Sequence, residues 1–145
     1  MARYAIAGRS TVVGTTTAAI ASLFGTASVG GRIVEIGITN TTAVAVAAAV
    51  VRFTNATNVG AGLTEAEYDE NLPPPLCTGF AGHTGAGGTG QVIAQVTLGA
   101  AVGAGFVWTF GAGGLAIAVG TANGIGVTCP NGTGQILDYY YFWDE

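Results

Sequence analysis

Lysine is absent from this chain of 145 residues, and only 8% of its residues are charged, against about 25% in ordinary globular domains. All four cations are arginines within the first 52 residues. Without lysine there can be no Walker phosphate-binding loop. The net charge of −4 and the lack of clustered cations also predict no direct contact with nucleic acid, because neutralising phosphates requires Lys and Arg.

No charged residue lies between Glu70 and Asp138. A soluble monomer normally has a charged surface of mixed sign, so we expect other copies of the chain or a larger partner to cover part of this one. Residues 98–120 are apolar and long enough to cross a bilayer. They contain seven glycines, a central Trp108 and no basic flank, so two short strands explain them better than a membrane span. We predict no membrane contact.

Chemically reactive side chains are scarce. The one histidine, His83, lies in a glycine-rich stretch, and no G-x-S-x-G nucleophile elbow occurs. Cys77 and Cys129 are far apart, and no closely spaced pair of metal ligands accompanies them. Residues 85–90 match G-x-G-x-x-G, but they lack the strand–turn–helix context and the later acid that binds a ribose. We therefore predict no enzyme activity, no metal site and no cofactor.

The N-terminal residues MARYAIAGRST lack the features of a secretory signal. We therefore expect the chain to be made in a reducing cytoplasm, with Cys77 and Cys129 as buried free thiols. The length predicts a single domain over residues 1–145. Residues 1–10 alternate only weakly between apolar and polar types, and they are predicted to form an edge strand or an N-terminal arm.

The central stretch, residues 31–54, has the pattern of two strands. Val34, Ile36 and Ile38 alternate with polar or small residues, as in a half-buried strand. After turn-forming residues at 40–42, residues 44–51 are apolar on both faces, which predicts a strand that is covered on both sides. We interpret the pair as the central hairpin of a β-sandwich.

Further short strands are predicted at residues 91–98, 105–110, 115–119, 124–129 and 135–143, with glycine-rich turns between them. Asn131-Gly132 is a strong hairpin signal. Thr64 and Glu67 fit a capping box, and four acids crowd the region where a helix dipole favours anions. One short helix is therefore predicted near residues 65–71, ended by three prolines. Together these patterns predict an all-β sandwich or barrel.

The segments RYAIAGRST, RIVEIGITNTT, LTEAEYDENLPPP, TANGIGV and GTGQILDYYYFWDE resemble small virion proteins of tailed bacteriophages. The resemblance covers nearly the whole chain. Proteins of this kind include jelly-roll decoration (cement) proteins, which sit on the outside of phage heads, often as trimers. The resemblance implies a single jelly-roll-like β-sandwich without catalysis, located on the capsid exterior and bound to the major capsid protein.

The last strand carries the densest aromatic cluster, and Tyr and Trp are favoured at protein interfaces. We expect a homo-oligomer, with a trimer favoured, whose subunit or capsid contacts use residues from both ends of the chain: Arg3, Tyr4, Arg9, Tyr139, Tyr141 and Trp143. Two alternatives remain open. One is another virion component, such as a tail or fibre protein. The other is a jelly-roll module that binds carbohydrate or protein, for which an exposed Trp108 or Trp143 is expected.

Overall fold

The computed structural model describes residues 1–85, 89–130 and 134–145. It contains twelve β-strands: β1 (Arg3–Arg9), β2 (Ala21–Phe24), β3 (Arg32–Asn40), β4 (Val46–Phe53), β5 (Ala61–Gly62), β6 (Ala66–Glu67), β7 (Thr78–Ala81), β8 (Thr89–Leu98), β9 (Gly105–Thr109), β10 (Leu115–Ala116), β11 (Gly124–Thr128) and β12 (Leu137–Asp144). No α-helix occurs in these described ranges. The predicted all-β fold is therefore confirmed.

The strands form two six-stranded antiparallel sheets that pack against each other. The β3 sheet has the order β10-β3-β12-β1-β6, with β9 also paired to β3, and the β4 sheet has the order β5-β7-β2-β11-β4-β8. Within them, the runs β1-β12-β3-β9 and β2-β11-β4-β8 follow the strand order of an eight-stranded jelly roll. The predicted jelly-roll-like sandwich is confirmed. The short strands β5 and β7 extend it beyond β2, and β6 extends it beyond β1.

The predicted central hairpin is wrong, because β3 and β4 belong to different sheets. β3 pairs with β12 on one side and with β9 and β10 on the other, whereas β4 pairs with β11 and β8. The chain crosses between the sheets at a corner fixed by the buried Asn40. The Asn40 side-chain amide donates hydrogen bonds to the carbonyl of Val44 at 2.7 Å and to that of Gly99 at 3.2 Å.

The prediction that residues 44–51 are covered on both sides is confirmed for β4. Val46, Ala48 and Val50 pack into the main core between the sheets. The opposite face of β4 lies in a second apolar cluster on the outer side of the β4 sheet, where Val51 and Phe53 are buried. The loop that follows β4 covers this second cluster.

The alternation predicted for β3 is only partly right. Ile36 and Ile38 face the core as expected, but Ile33 is fully buried whereas Val34 is partly exposed. The pairing of β3 with β12 shifts register between Phe142 and Trp143. A β-bulge, in which one strand has an extra residue, causes such a shift. A strict period of two cannot reveal such an insertion.

The helix predicted near residues 65–71 is absent. Ala66 and Glu67 instead pair with the edge of β1 as β6, and the Glu65 carboxylate accepts a hydrogen bond from the backbone N–H of Gly79 at 2.7 Å. Asp69 accepts a hydrogen bond from the backbone N–H of Asn71 at 3.0 Å, which closes a turn. These long-range and turn contacts replace the local capping that the sequence suggested.

Two other sequence expectations change in the structure. The strand at residues 3–9 is not a free arm, because β1 pairs with β12 along its whole length, and on its other side Tyr4 and Ala5 pair with β6. The glycine-rich turn at residues 111–114 does not form a hairpin, because β9 and β10 both lie along the same edge of β3. The hairpin signal Asn131-Gly132 lies outside the described residues.

Candidate interaction surfaces

His83 is a structural residue of the second apolar cluster. His83 is 2% exposed, and the centroid of its ring lies 5.5 Å from the centroid of the Phe53 ring. Nε2 is hydrogen-bonded to Ser22 Oγ at 2.7 Å, and Nδ1 has no partner within the described part of the chain. Burial lowers the pKa of His83 to about 4. Ser22 is itself fully buried, so a substrate cannot reach this pair.

The two cysteines are free and buried, as predicted. Burial raises the pKa of Cys77 to about 12, and the nearby Glu145 carboxylate adds to the shift. Burial also raises the pKa of Cys129. Both thiols therefore stay protonated at neutral pH and are poor nucleophiles. Within residues 1–85, 89–130 and 134–145, no group of three His, Cys, Asp or Glu side chains is placed to hold a metal ion.

The G-x-G-x-x-G match at residues 85–90 lies only partly within the described residues. Residues 86–88 of this segment lie outside the described residues. Its last two positions, Thr89 and Gly90, already belong to β8, whereas a dinucleotide fingerprint opens a helix. The segment thus leads into the longest strand of the sandwich.

Arg3 and Arg9 lie on the outer face of the β3 sheet, each opposite an aspartate of β12. Arg3 donates to both carboxylate oxygens of Asp144, at 2.8 and 3.0 Å, and Arg9 donates to both oxygens of Asp138, at 2.6 and 2.9 Å. The hydrogen bonds from Arg9 lower the pKa of Asp138. The two arginine side chains are 46% and 65% exposed, so both remain accessible to a partner while they clamp the first and last strands.

The four aromatic residues predicted at an interface belong to the core instead. Tyr4, Tyr139, Tyr141 and Trp143 are each at most 4% exposed. Tyr141 donates a hydrogen bond across the sandwich to the carbonyl of Ala21 at 2.9 Å. Side chains so deeply buried have no surface to offer to a partner.

One group of aromatic residues at the surface consists of the outward-facing members of β12 and one tyrosine that follows β6. Tyr68, Tyr140 and Phe142 form what we call the aromatic patch: the rings of Tyr68 and Phe142 are 5.5 Å apart, and those of Tyr140 and Phe142 are 5.1 Å apart. Tyr68 is 62% exposed. The Tyr140 hydroxyl donates a hydrogen bond to Glu35 at 2.7 Å. The sequence pattern placed Tyr140 and Phe142 on one face of the last strand. Tyr68 was not predicted to lie beside them, because residues 65–71 were predicted to form a helix.

A second surface lies where β8 and β9, the end strands of the two sheets, come into contact. We call it the β8–β9 edge. Its exposed apolar side chains lie on the two strands and on the loop between them: Val92, Ile93, Val102, Phe106 and Val107. None of residues 89–109 is charged. The sequence showed the absence of charge here, but it could not show that these residues are on the surface.

One open cavity, of about 340 Å³, lies between residues 30–32 and 116–119. Three charged side chains of its lining have partners: Arg32 donates to the carbonyl of Gly113, Asp144 binds Arg3, and Glu145 accepts backbone N–H groups of Leu76 and Cys77. Their hydrogen bonds hold neighbouring segments together. These three side chains therefore have structural roles in the cavity wall.

No family model, curated protein or solved structure shows a significant match to this chain. Within the described residues, no helix has the length and apolar character that crossing a bilayer requires. Function must therefore be inferred from the molecule itself, and the three exposed features that bear on it are the paired arginines, the aromatic patch and the β8–β9 edge.

Proposed function

We propose that this chain is a non-enzymatic structural protein of a tailed-bacteriophage virion, and that it decorates the outside of the capsid by binding the major capsid protein. The observation that carries the proposal is the position of the uncharged half of the chain. Val92 and Val102, at 59% and 72% exposed, show that much of this half lies on the surface. An apolar surface without charge favours a protein that works inside an assembly.

The state of the reactive side chains supports the same proposal. His83, Cys77 and Cys129 are buried and serve packing. The jelly roll is a fold that viral capsid proteins share with lectins, and a fold alone does not decide function. The weight of the proposal therefore rests on the surface and on the resemblance of the chain to phage virion proteins.

The first test is to count copies of this chain in purified particles of its source virus by quantitative mass spectrometry. Hundreds of copies, in a simple ratio to the major capsid protein, are expected for a decoration protein. A handful would move the chain to the tail or a vertex, and none would refute a virion role. Purified chain added to capsids that lack it should also bind until saturated at the same ratio.

The paired arginines provide a sharper test of how the capsid is bound. Arg3→Ala and Arg9→Ala should weaken capsid binding if these exposed cations contact the lattice, and each should lower the free energy of unfolding by at most about 1 kcal/mol, the upper value for ion pairs at a surface. Arg52→Ala is the matched control, since Arg52 lies on β4 in the other sheet and donates to the carbonyl of Ala116, not to an aspartate of β12. Equal binding by all three variants would exclude the arginines from the contact.

A carbohydrate-binding module is the second candidate, and the aromatic patch is the observation that favours it. Trp108 and Trp143 are buried, so the expected exposed tryptophan is not present. A sugar would have to stack on Tyr68 and Phe142 instead. Nuclear magnetic resonance with a panel of oligosaccharides tests this: shifts of the Tyr68 ring signals that vanish in Tyr68→Ala would favour a lectin, and an unchanged spectrum would exclude it.

A further inference from the structure

The four sheet edges of this protein differ in how they are protected against pairing with another chain. A sheet edge carries unpaired backbone N–H and C=O groups, and proteins commonly protect it with short strands, charges, bulges or covering segments. In the β4 sheet, the edge strand β5 has only two residues. In the β3 sheet, the edge formed by β9 and β10 is interrupted at residues 110–114. Both edges are short or broken.

The β6 edge is protected by charge as well as by length. It has two residues, Ala66 and Glu67, and the flanking positions Glu65, Asp69 and Glu70 make this the most acidic segment of the chain. The acid cluster that suggested a helix start thus surrounds a sheet edge, where it would repel a like strand. Charge on an edge strand is a recognised protection against pairing.

The β8 edge has the least protection. β8 is the longest strand, with ten residues, and it contains neither charge nor proline. Its pairing with β4 shifts register twice, once on each side of the Val51–Val92 pair. Ala94–Leu98 pairs regularly with residues 46–50. Within the described ranges, no other strand covers its outer side. Five regular residues with a free backbone edge are thus exposed beside the apolar side chains of β9.

We propose that the β8 edge is a self-association surface, at which Ala94–Leu98 of one copy pairs antiparallel with the same segment of a second copy. The pairing is centred on Val96, so that Gln95 of one copy lies opposite Thr97 of the other. A two-fold axis normal to the sheets continues both sheets and brings the β8–β9 edges together. In this register, Val92 of one copy lies opposite residue 100 of the other, and both positions are exposed and uncharged.

The charge distribution is what selects a second copy as the occupant. In a two-fold contact, residue i of one copy meets residue j of the other and j meets i, so a charge close to the axis would face its own copy. Residues 89–109 contain none, whereas the opposite side of the sandwich carries the acids around β6. An uncharged, apolar edge is complementary to itself and offers no group to attract a charged strand. The inference holds whether or not the chain belongs to a virion.

The test uses a charge swap at two exposed positions whose side chains point away from the core. Gln95→Lys/Thr97→Lys puts ammonium groups opposite one another across the axis and should weaken self-association at least about tenfold, as like charges do at interfaces. Gln95→Glu/Thr97→Glu should do the same. An equimolar mixture of the two double variants should restore association. Ala61→Lys, on the far β5 edge, is the control and should associate as the native chain does.

Sedimentation velocity over a range of micromolar concentrations reads out the mass, and hydrogen exchange reads out those backbone amides of residues 94–98 that point away from β4. A dimer is expected, or a hexamer if a trimeric contact also forms, with slow exchange at these amides that becomes fast in each double variant. A native chain that stays monomeric or forms only trimers, or a dimer that both double variants retain, would overturn the proposal. Circular dichroism and thermal unfolding verify that the variants are folded.

Discussion

Lowering the pH from 7 to 5 should destabilise this protein through one residue, His83. A histidine that is buried in its neutral form resists protonation, and the pKa of His83 falls from 6.5 to about 4 because of burial. The unfolded chain therefore binds a proton at a pH where the folded chain does not. The stabilising effect is fully present above pH 6.5 and is lost as the pH falls towards 4.

The size of the effect follows from the same pKa values. One unit of pKa difference corresponds to about 1.36 kcal/mol, so the full loss below pH 4 is about 3 kcal/mol, and about 2 kcal/mol of it is already lost between pH 7 and pH 5. The carboxyl groups of Asp69 and Asp138 have pKa values below 3.8, so their contributions are lost at lower pH. We therefore assign the loss of stability between pH 7 and pH 5 to His83.

Urea unfolding at a fixed protein concentration, repeated at pH 7, 6 and 5, measures the loss. The matched variant is His83→Gln, which cannot titrate but retains an amide that can hydrogen-bond to Ser22. It should be less stable than the native chain at pH 7, and its stability should change little between pH 7 and pH 5. A native chain with equal stability at both pH values, or a His83→Gln variant with the same acid loss, would refute the reasoning.

Two further predictions concern packing in the sandwich. Gly126→Ala should destabilise the protein by about 1–3 kcal/mol, as over-packing does, because the new Cβ would lie 2.6 Å from Phe53 and 2.8 Å from the carbonyl oxygen of Ala21. Gly62→Ala, which has open space at its Cβ, is the neutral control. Equal urea midpoints for the two variants would contradict this prediction. Tyr141→Phe should lower the free energy of unfolding by about 1–3 kcal/mol, because the buried Ala21 carbonyl loses the hydrogen bond that spans the two sheets. An unchanged melting temperature in calorimetry would contradict this prediction.

The fold class and several strands could be predicted because they depend on local patterns. The turn residues marked the ends of β9 and β11, and the two apolar faces of β4 correctly indicated burial on both sides. The pairing of strands could not be predicted this way, since it depends on contacts between distant residues. Asn40 illustrates the point, because its bonds to Val44 and Gly99 turn an apparent hairpin into a crossing between sheets.

The helix error and the interface error have different physical causes. A capping box involves only local hydrogen bonds, and a short isolated helix is of marginal stability. Ala66 and Glu67 instead form backbone hydrogen bonds with β1, which stabilise the strand over the helix. For the last strand, alternation correctly separated two sets of aromatic residues, but it could not say which set faced the core. The bulge beside Phe142 and the position of the second sheet decide that, and neither is visible in the sequence.

The distribution of charge is the feature whose meaning changes most between sequence and structure. In the sequence it reads as a gradient, with charges at both ends and a long uncharged middle. In the fold, Arg3 and Arg9 bind Asp144 and Asp138 and connect β1 to β12, and four of the other six acids lie in or next to β6. The uncharged middle supplies β8 and β9, the opposite side of the sandwich. Acidic groups thus protect the β6 edge against strand pairing, whereas β8 carries no charge, and this difference is the basis of the self-association that we propose.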